Sequence, residues 1–234
     1  MKHIIFIGFL LIVCCQCTKR IDNKKEILSS EFLDNGNIVS TNCKFIMYSD
    51  STYIFTVNEY QEYRHEKNEI FRGRFILHGD TIVFFPFQFY FLHSEKAIIK
   101  NNFIEFLDGD IPFKMKIART ILSQNNYTDT VKFNDYSFFT YNSSFYRNFS
   151  GKVTPYDLNT EDLNTIDSLL NLCINQNSES ISRKSNNYFK QCIAIRNSNN
   201  EKEVWINLFC KGNRIGYFHY SIIDVNDGGD CFIN

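Results

Sequence analysis

Eight cysteines are the residues of this chain with the most chemistry to offer, and they fall into two groups. Cys14, Cys15 and Cys17 cluster at the end of an apolar run. Cys43, Cys173, Cys192, Cys210 and Cys231 are scattered through the body. The first group has the layout of an acyl acceptor. Lys2 and His3 make a short polar start, residues 4–13 are apolar apart from Gly8, and Thr18, Lys19 and Arg20 restore polarity. A charged start, an apolar core of about ten residues and a cleavage zone define an export signal, and such a core is far short of the ~20 helical residues that span a bilayer. A lipoprotein peptidase takes an aliphatic residue three before the acceptor and a small one just before it. Cys15, preceded by Ile12, Val13 and Cys14, fits best. Cys17 follows Gln16 and is the alternative, while Cys14 has the bulky Val13 beside it. The expectation is lipidation at Cys15, with several acyl chains giving a stable membrane anchor. An ordinary cleaved secretory signal is the bland alternative, and three clustered cysteines argue against it.

The five body cysteines could pair, since the compartment beyond the inner membrane permits disulfides. No Cys-x-x-Cys occurs among them, so neither a thioredoxin site nor a zinc ribbon is supported. If the last four strands run as a meander, Cys192 faces Trp205. Cys210 and Cys231 then sit at opposite ends of one strand, beyond the ~6 Å between Cα atoms that a bridge requires. This reading favours buried free thiols acting as small hydrophobes.

Other reactive constellations are thin. His65-Glu66 begins like a zinc-protease helix, but no second histidine stands four residues after the first. Asp224, Asp227 and Asp230 flank Gly228-Gly229 without the alternating ligands and closing glutamate of an EF-hand, so a hairpin turn is the simpler reading. No Gly-x-Ser-x-Gly elbow, phosphate loop or dinucleotide fingerprint appears. The expectation is therefore a non-enzymatic protein with no metal and no cofactor.

Charge excludes another class. The chain carries 25 Lys and Arg against 26 Asp and Glu, a net charge of −1. That balance offers no field for nucleic acid. The 24 Phe and 13 Tyr, with 3 Pro and 10 Gly among 234 residues, favour strands over helices.

These residues must be positioned by a small set of elements. Residues 1–17 read as the signal and acceptor cysteines, and 18–40 as a polar tether. Apolar runs at 44–48, 52–57, 70–77, 81–92, 97–100, 103–107 and 111–117 are separated by turn signals such as Asn101-Asn102 and Asp108-Gly109. They predict an antiparallel β meander over 41–122, a half-barrel or lipocalin-like barrel. In the run 84–91 both alternating faces are aromatic apart from Pro86 and Gln88. Phe85, Phe87 and Phe89 therefore form a candidate interaction surface, with packing against a second domain as the bland alternative. After a polar connector, 133–234 predicts a smaller domain with a strand at 136–141 and one helix. Thr160 is its expected cap, Glu161 and Asp162 occupy its first turn, and Leu163, Ile166, Leu169, Leu170, Cys173 and Ile174 make its apolar stripe. Strands at 188–195, 204–210, 217–225 and 231–233 follow. The class is α+β, mostly β, with the helix packed on a four-to-five-stranded antiparallel sheet.

Three stretches in the last 80 or so residues carry a resemblance. They are Tyr188-Phe189-Lys190-Gln191, Val204-Trp205-Ile206-Asn207-Leu208-Phe209-Cys210, and Asp227-Gly228-Gly229-Asp230-Cys231-Phe232. This order resembles a C-terminal domain of uncharacterised Bacteroidetes envelope lipoproteins. The resemblance implies a compartment and a fold and adds no chemistry. The expected protein is a membrane-anchored envelope lipoprotein, a non-enzymatic protein-binding or structural component. It is expected at the outer membrane, facing the periplasm, because no acidic pair follows the acceptor cysteine. The alternative is a small apolar ligand binder using the N-terminal β domain.

Overall fold

A computed structural model describes residues 24–35, 39–61, 64–85, 93–109, 111–125, 131–143, 149–211, 218–223 and 231–233. The signal, the acceptor cysteines Cys14, Cys15 and Cys17, and Phe87 and Phe89 lie outside the described residues.

Eight antiparallel strands close into a barrel. They are β1 (Glu26–Asn35), β2 (Val39–Tyr48), β3 (Thr52–Gln61), β4 (Arg64–His78), β5 (Thr81–Phe85), β6 (Lys96–Lys100), β7 (Phe103–Phe106) and β8 (Phe113–Thr120). The expected meander is thus a closed barrel, and its closure comes from a segment read as tether. Residues Glu26–Asn35 form β1, which pairs with β2 on one side and with β8 on the other. The strand is hard to recognise because one inward position is a serine. Leu28, Ser30 and Phe32 are buried, while Glu31 and Leu33 on the other face are exposed. Closure leaves this barrel no free strand edge.

Alternation places the remaining inward side chains. Cys43, Phe45 and Met47 of β2, Tyr53, Phe55 and Val57 of β3, and Phe113, Met115 and Ile117 of β8 are all buried in one core. Rings fill the lumen: Phe45 meets Phe84 and Phe106 edge to face at centroid distances of 5.8 and 6.1 Å. Asn101 and Asn102 join β6 to β7 with φ of 48° and 65°, the left-handed pair that a two-residue hairpin turn needs. The strand expected over 81–92 is described only to Phe85.

The second unit is a five-stranded sheet of β9 (Tyr136–Thr140), β10 (Thr154–Pro155), β11 (Tyr188–Arg196), β12 (Lys202–Cys210) and β13 (Phe232–Ile233). It is mixed rather than wholly antiparallel, because β9 runs parallel to β11. A parallel pair needs a long crossover, and helix α1 (Thr160–Gln176) supplies it. Asn159, not Thr160, caps this helix. Its Oδ1 accepts from Asp162 N at 2.9 Å, and Asp162 Oδ2 accepts from Asn159 N at 3.2 Å, a reciprocal capping box. Leu163 and Ile166 pack against Tyr136, Cys192 and Ala194, and Ile174 packs near Tyr188 and Leu208. The apolar stripe is narrower than expected, since Leu169 and Cys173 are exposed.

Residues 218–223 are not a strand of this sheet. They form a strap that bridges to the barrel through Phe113↔Ser221, with Lys114 N donating to Tyr220 O at 2.8 Å. Among the described residues β12 and β13 pair directly, Phe209 opposite Phe232. Cys210 and Cys231 therefore lie side by side, 4.9 Å apart at Cα, and form a disulfide. The register also sets Cys192 opposite Ile206 rather than Trp205. Cys43, Cys173 and Cys192 are free thiols, and of these Cys43 and Cys192 are buried.

Candidate functional site

The outer face of β6, β7 and β8 carries Lys100, Phe103, Glu105, Lys114 and Lys116. In an isolated barrel these would be solvated. Here Lys100, Glu105 and Lys114 are buried, because the second unit lies against them. The contact runs along β9, the strand that β11 holds on one side only.

Glu105 and Lys114 are cross-strand partners in the β7–β8 ladder. Glu105 Oε1 accepts the backbone N–H of Thr140 at 2.5 Å, and its Oε2 accepts Thr140 Oγ1 at 2.8 Å. Lys114 Nζ donates to the carbonyl of Phe138 at 2.7 Å. One acceptor and one donor thus satisfy an edge N–H and an edge C=O of β9, as a neighbouring strand would. Lys100 completes the junction. Its Nζ lies 2.6 Å from Asp157 Oδ1, 2.6 Å from Thr140 Oγ1 and 3.5 Å from Glu105 Oε2. Burial opposes its charge, but Glu105 and Asp157 outweigh that and hold Lys100 above the ordinary lysine value.

Lys114 has a different environment. No carboxylate lies within ion-pair distance among the described residues. Its ammonium sits over the rings of Phe103 at 4.6 Å and Phe139 at 4.2 Å. Burial brings it down to about 7; Glu105 opposes the fall and Lys100 adds to it. His219 of the strap lies nearby against Phe218 and Phe103, at 3.6 and 6.1 Å between centroids. Burial takes it down to about 3, with Lys114 and Lys116 pushing the same way, so its imidazole is neutral at physiological pH.

Between these groups lies a cleft of about 270 Å³, walled by β6–β8 on one side and by residues 133–138 and the strap on the other. It is one of the concave spaces between the two units; another, of about 530 Å³, lies between Leu107, Ile111 and Pro112 on the barrel side and Tyr141, Lys152 and Val153 on the other. The barrel lumen, by contrast, is occupied by its own aromatic side chains.

The strap owes its place to two buried amides. Gln191 Nε2 donates to the carbonyls of Phe218 and Ser221, each at 2.7 Å, and Gln191 Oε1 accepts from Ile223 N at 2.9 Å. Asn207 Nδ2 donates to Ile223 O at 2.6 Å. The residues that stood out in the last third of the sequence, Gln191, Asn207, Cys210 and Cys231, are thus architectural. Gln191 and Asn207 fasten one wall of the cleft, and Cys210–Cys231 ties β13 to β12.

Of the interaction surface expected at Phe85, Phe87 and Phe89, only Phe85 is described. It is 48 % exposed on the barrel exterior, opposite Arg74. Ile76 and Ile70 are similarly exposed on the adjacent strand. His65 and Glu66 belong to strand β4, not to a helix, so helical zinc-ligand spacing does not exist there. Asp224, Asp227 and Asp230 lie outside the described residues. Among the described residues no group of three His, Cys, Asp or Glu side chains could hold a metal ion, and no helix is long and apolar enough to cross a membrane.

The reading of the sequence missed Lys100, Glu105, Lys114, Asp157 and His219. Their only signal is the β alternation, which puts the first three on an outward face where charge is ordinary. No protein-family model, no curated protein and no solved structure matches this chain.

Proposed function

We propose that this chain is a membrane-anchored lipoprotein of a bacterial envelope whose β body serves as a non-catalytic, protein-binding or structural component, held at the outer membrane on its periplasmic side. The observation that carries this reading is the N-terminal sequence, with its apolar run 4–13, its cysteines at 14, 15 and 17, and the polar switch after them. The Cys210–Cys231 disulfide supports it, because such bonds persist in oxidising compartments. The resemblance of the last third to Bacteroidetes envelope lipoproteins points the same way. A partner surface is proposed at the barrel exterior around Phe85, where a half-exposed ring, two half-exposed isoleucines and Arg74 share one face.

Metabolic labelling with an alkyne fatty acid tests the anchor. The full chain takes up label and fractionates with membranes, and Cys15→Ser abolishes both. Label retained in Cys15→Ser and lost in Cys17→Ser would instead assign Cys17 as acceptor. Uptake that survives replacement of Cys14, Cys15 and Cys17 together would refute the reading. Partner capture by cross-linking in intact cells tests the surface: Phe85→Asp removes the captured species while leaving thermal stability unchanged, since Phe85 contributes nothing to the buried core.

A further inference from the structure

We propose that the cleft between barrel and sheet is a binding site for a small organic carboxylate with a flat apolar body, its carboxylate received by Lys114 and Lys116 and its body lying among the rings of Phe103, Phe138 and Tyr220. The site stands independently of the anchor.

Charge and donor count carry the assignment. Three lysines line the cleft, with one carboxylate, Glu105, among its walls. Glu105 is committed to Lys100 and to Thr140. Asp157 closes the remaining charge of Lys100 from outside the cleft wall. Lys114 and Lys116 are left without a counter-ion among the described residues, one buried and one exposed at the mouth. An ammonium has three N–H donors, and Lys114 gives one of them to the Phe138 carbonyl. Burial loosens the Lys114 proton because the protein gives it no anion at ion-pair distance, and a ligand carboxylate supplies that partner and favours the ammonium.

Shape and polarity narrow the class. A space of about 270 Å³ takes a compact molecule and excludes a polymer chain. Aromatic residues make up much of the wall, which suits an apolar body rather than a sugar. Two ammoniums, with no arginine and no helix N-terminus at the site, match a monoanion better than a phosphate dianion, which draws on several convergent donors. His219 is held neutral and adds no charge that would demand a second anionic group.

The test uses the full chain purified in detergent, with benzoate as probe and benzamide as its neutral isostere, followed by calorimetry and saturation-transfer NMR. Benzoate binds one to one, at least about tenfold more tightly than benzamide, the ratio expected when one partner of a charged hydrogen bond is lost. Lys114→Met lowers benzoate affinity by about tenfold or more and leaves benzamide unaffected. Should Lys114→Met fail to fold, Lys116→Glu serves instead: the residue is exposed, so the fold survives, and the new carboxylate repels benzoate selectively. Equal affinity for benzoate and benzamide overturns the proposal. So does full retention of benzoate binding in a folded variant, or no binding up to roughly 50 mM.

Discussion

Gln191 shows how much one side chain can organise. It is fully buried, and its amide donates twice and accepts from Ile223 N, all to or from the strap. Replacing it by leucine keeps the volume and strands two carbonyls and one N–H in an apolar interior. Gln191→Leu should cost ~2–4 kcal/mol, measured by urea unfolding, because buried groups left without partners lose their hydration uncompensated. A loss under ~1 kcal/mol would show that the strap refastens by other bonds. Glutamine in a strand carries no sequence mark of such a role. In the sequence Gln191 reads as an alternation position, and only the long-range backbone contacts reveal what it holds. Lys114 is illegible for the same reason. Its burial comes from the second unit, whose Phe138 carbonyl lies 24 residues further along the chain, so local pattern places it on the solvent side.

At the scale of elements, the ladder between β3 and β4 depends on a glycine. Gly73 stands opposite Tyr53, and a Cβ added there would lie 2.6 Å from the tyrosine ring. Tyr53 is itself buried in the lumen against Phe45 and Phe84. Gly73→Ala should therefore destabilise by ~1–3 kcal/mol, as overpacking does in a filled core. Combining it with Tyr53→Leu should recover part of that loss relative to the sum of the single changes, read as a double-mutant cycle. The strands themselves were legible because turn chemistry and alternation agreed, as at Asn101-Asn102. Element β1 was not, since the buried serine at position 30 breaks the apolar alternation that marks a core-facing strand. The pairing of β12 with β13 was hidden as well. The segment expected as a strand at 217–225 instead meets the barrel where it is described, at 218–223, and no local pattern records that departure.

For the molecule as a whole, two groups set the direction of the pH response. His219 sits at about 3 when folded, against an ordinary value of 6.5. Between those values the unfolded chain binds the extra proton, so stability rises with pH across that window. Lys114 sits at about 7 against 10.5, so the same sign holds from pH 7 upward. The charged groups facing Lys114 are Glu105 and Lys100. Those facing His219 are Lys114 and Lys116. Asp135 adds to the acid side: burial opposes its charge, Lys190 and Lys211 outweigh that, and the stability it contributes is lost as pH falls through its lowered value. Melting temperature should climb from pH 4 through pH 9. Lys114→Met should flatten the climb between pH 7 and 9, where one proton accounts for a slope of about 1.4 kcal/mol per pH unit at most. A wild-type curve already flat across pH 7–9 would mean that Lys114 keeps its charge in the folded state.

The strap has a meaning in time as well as in space. Barrel closure joins β1 to β8, a pairing between distant parts of the chain, and topologies of that kind fold over milliseconds to seconds. The strap comes later still in the chain, beyond β12, and its wall of the cleft rests on Gln191 and Asn207 having first found each other across β11 and β12. A nascent chain that has released only its first 120 residues can close a barrel and bury its rings, yet has nothing opposite Lys114. The cleft comes into existence only after the strap has followed β12, and any failure of that C-terminal segment would erase it while leaving the barrel closed.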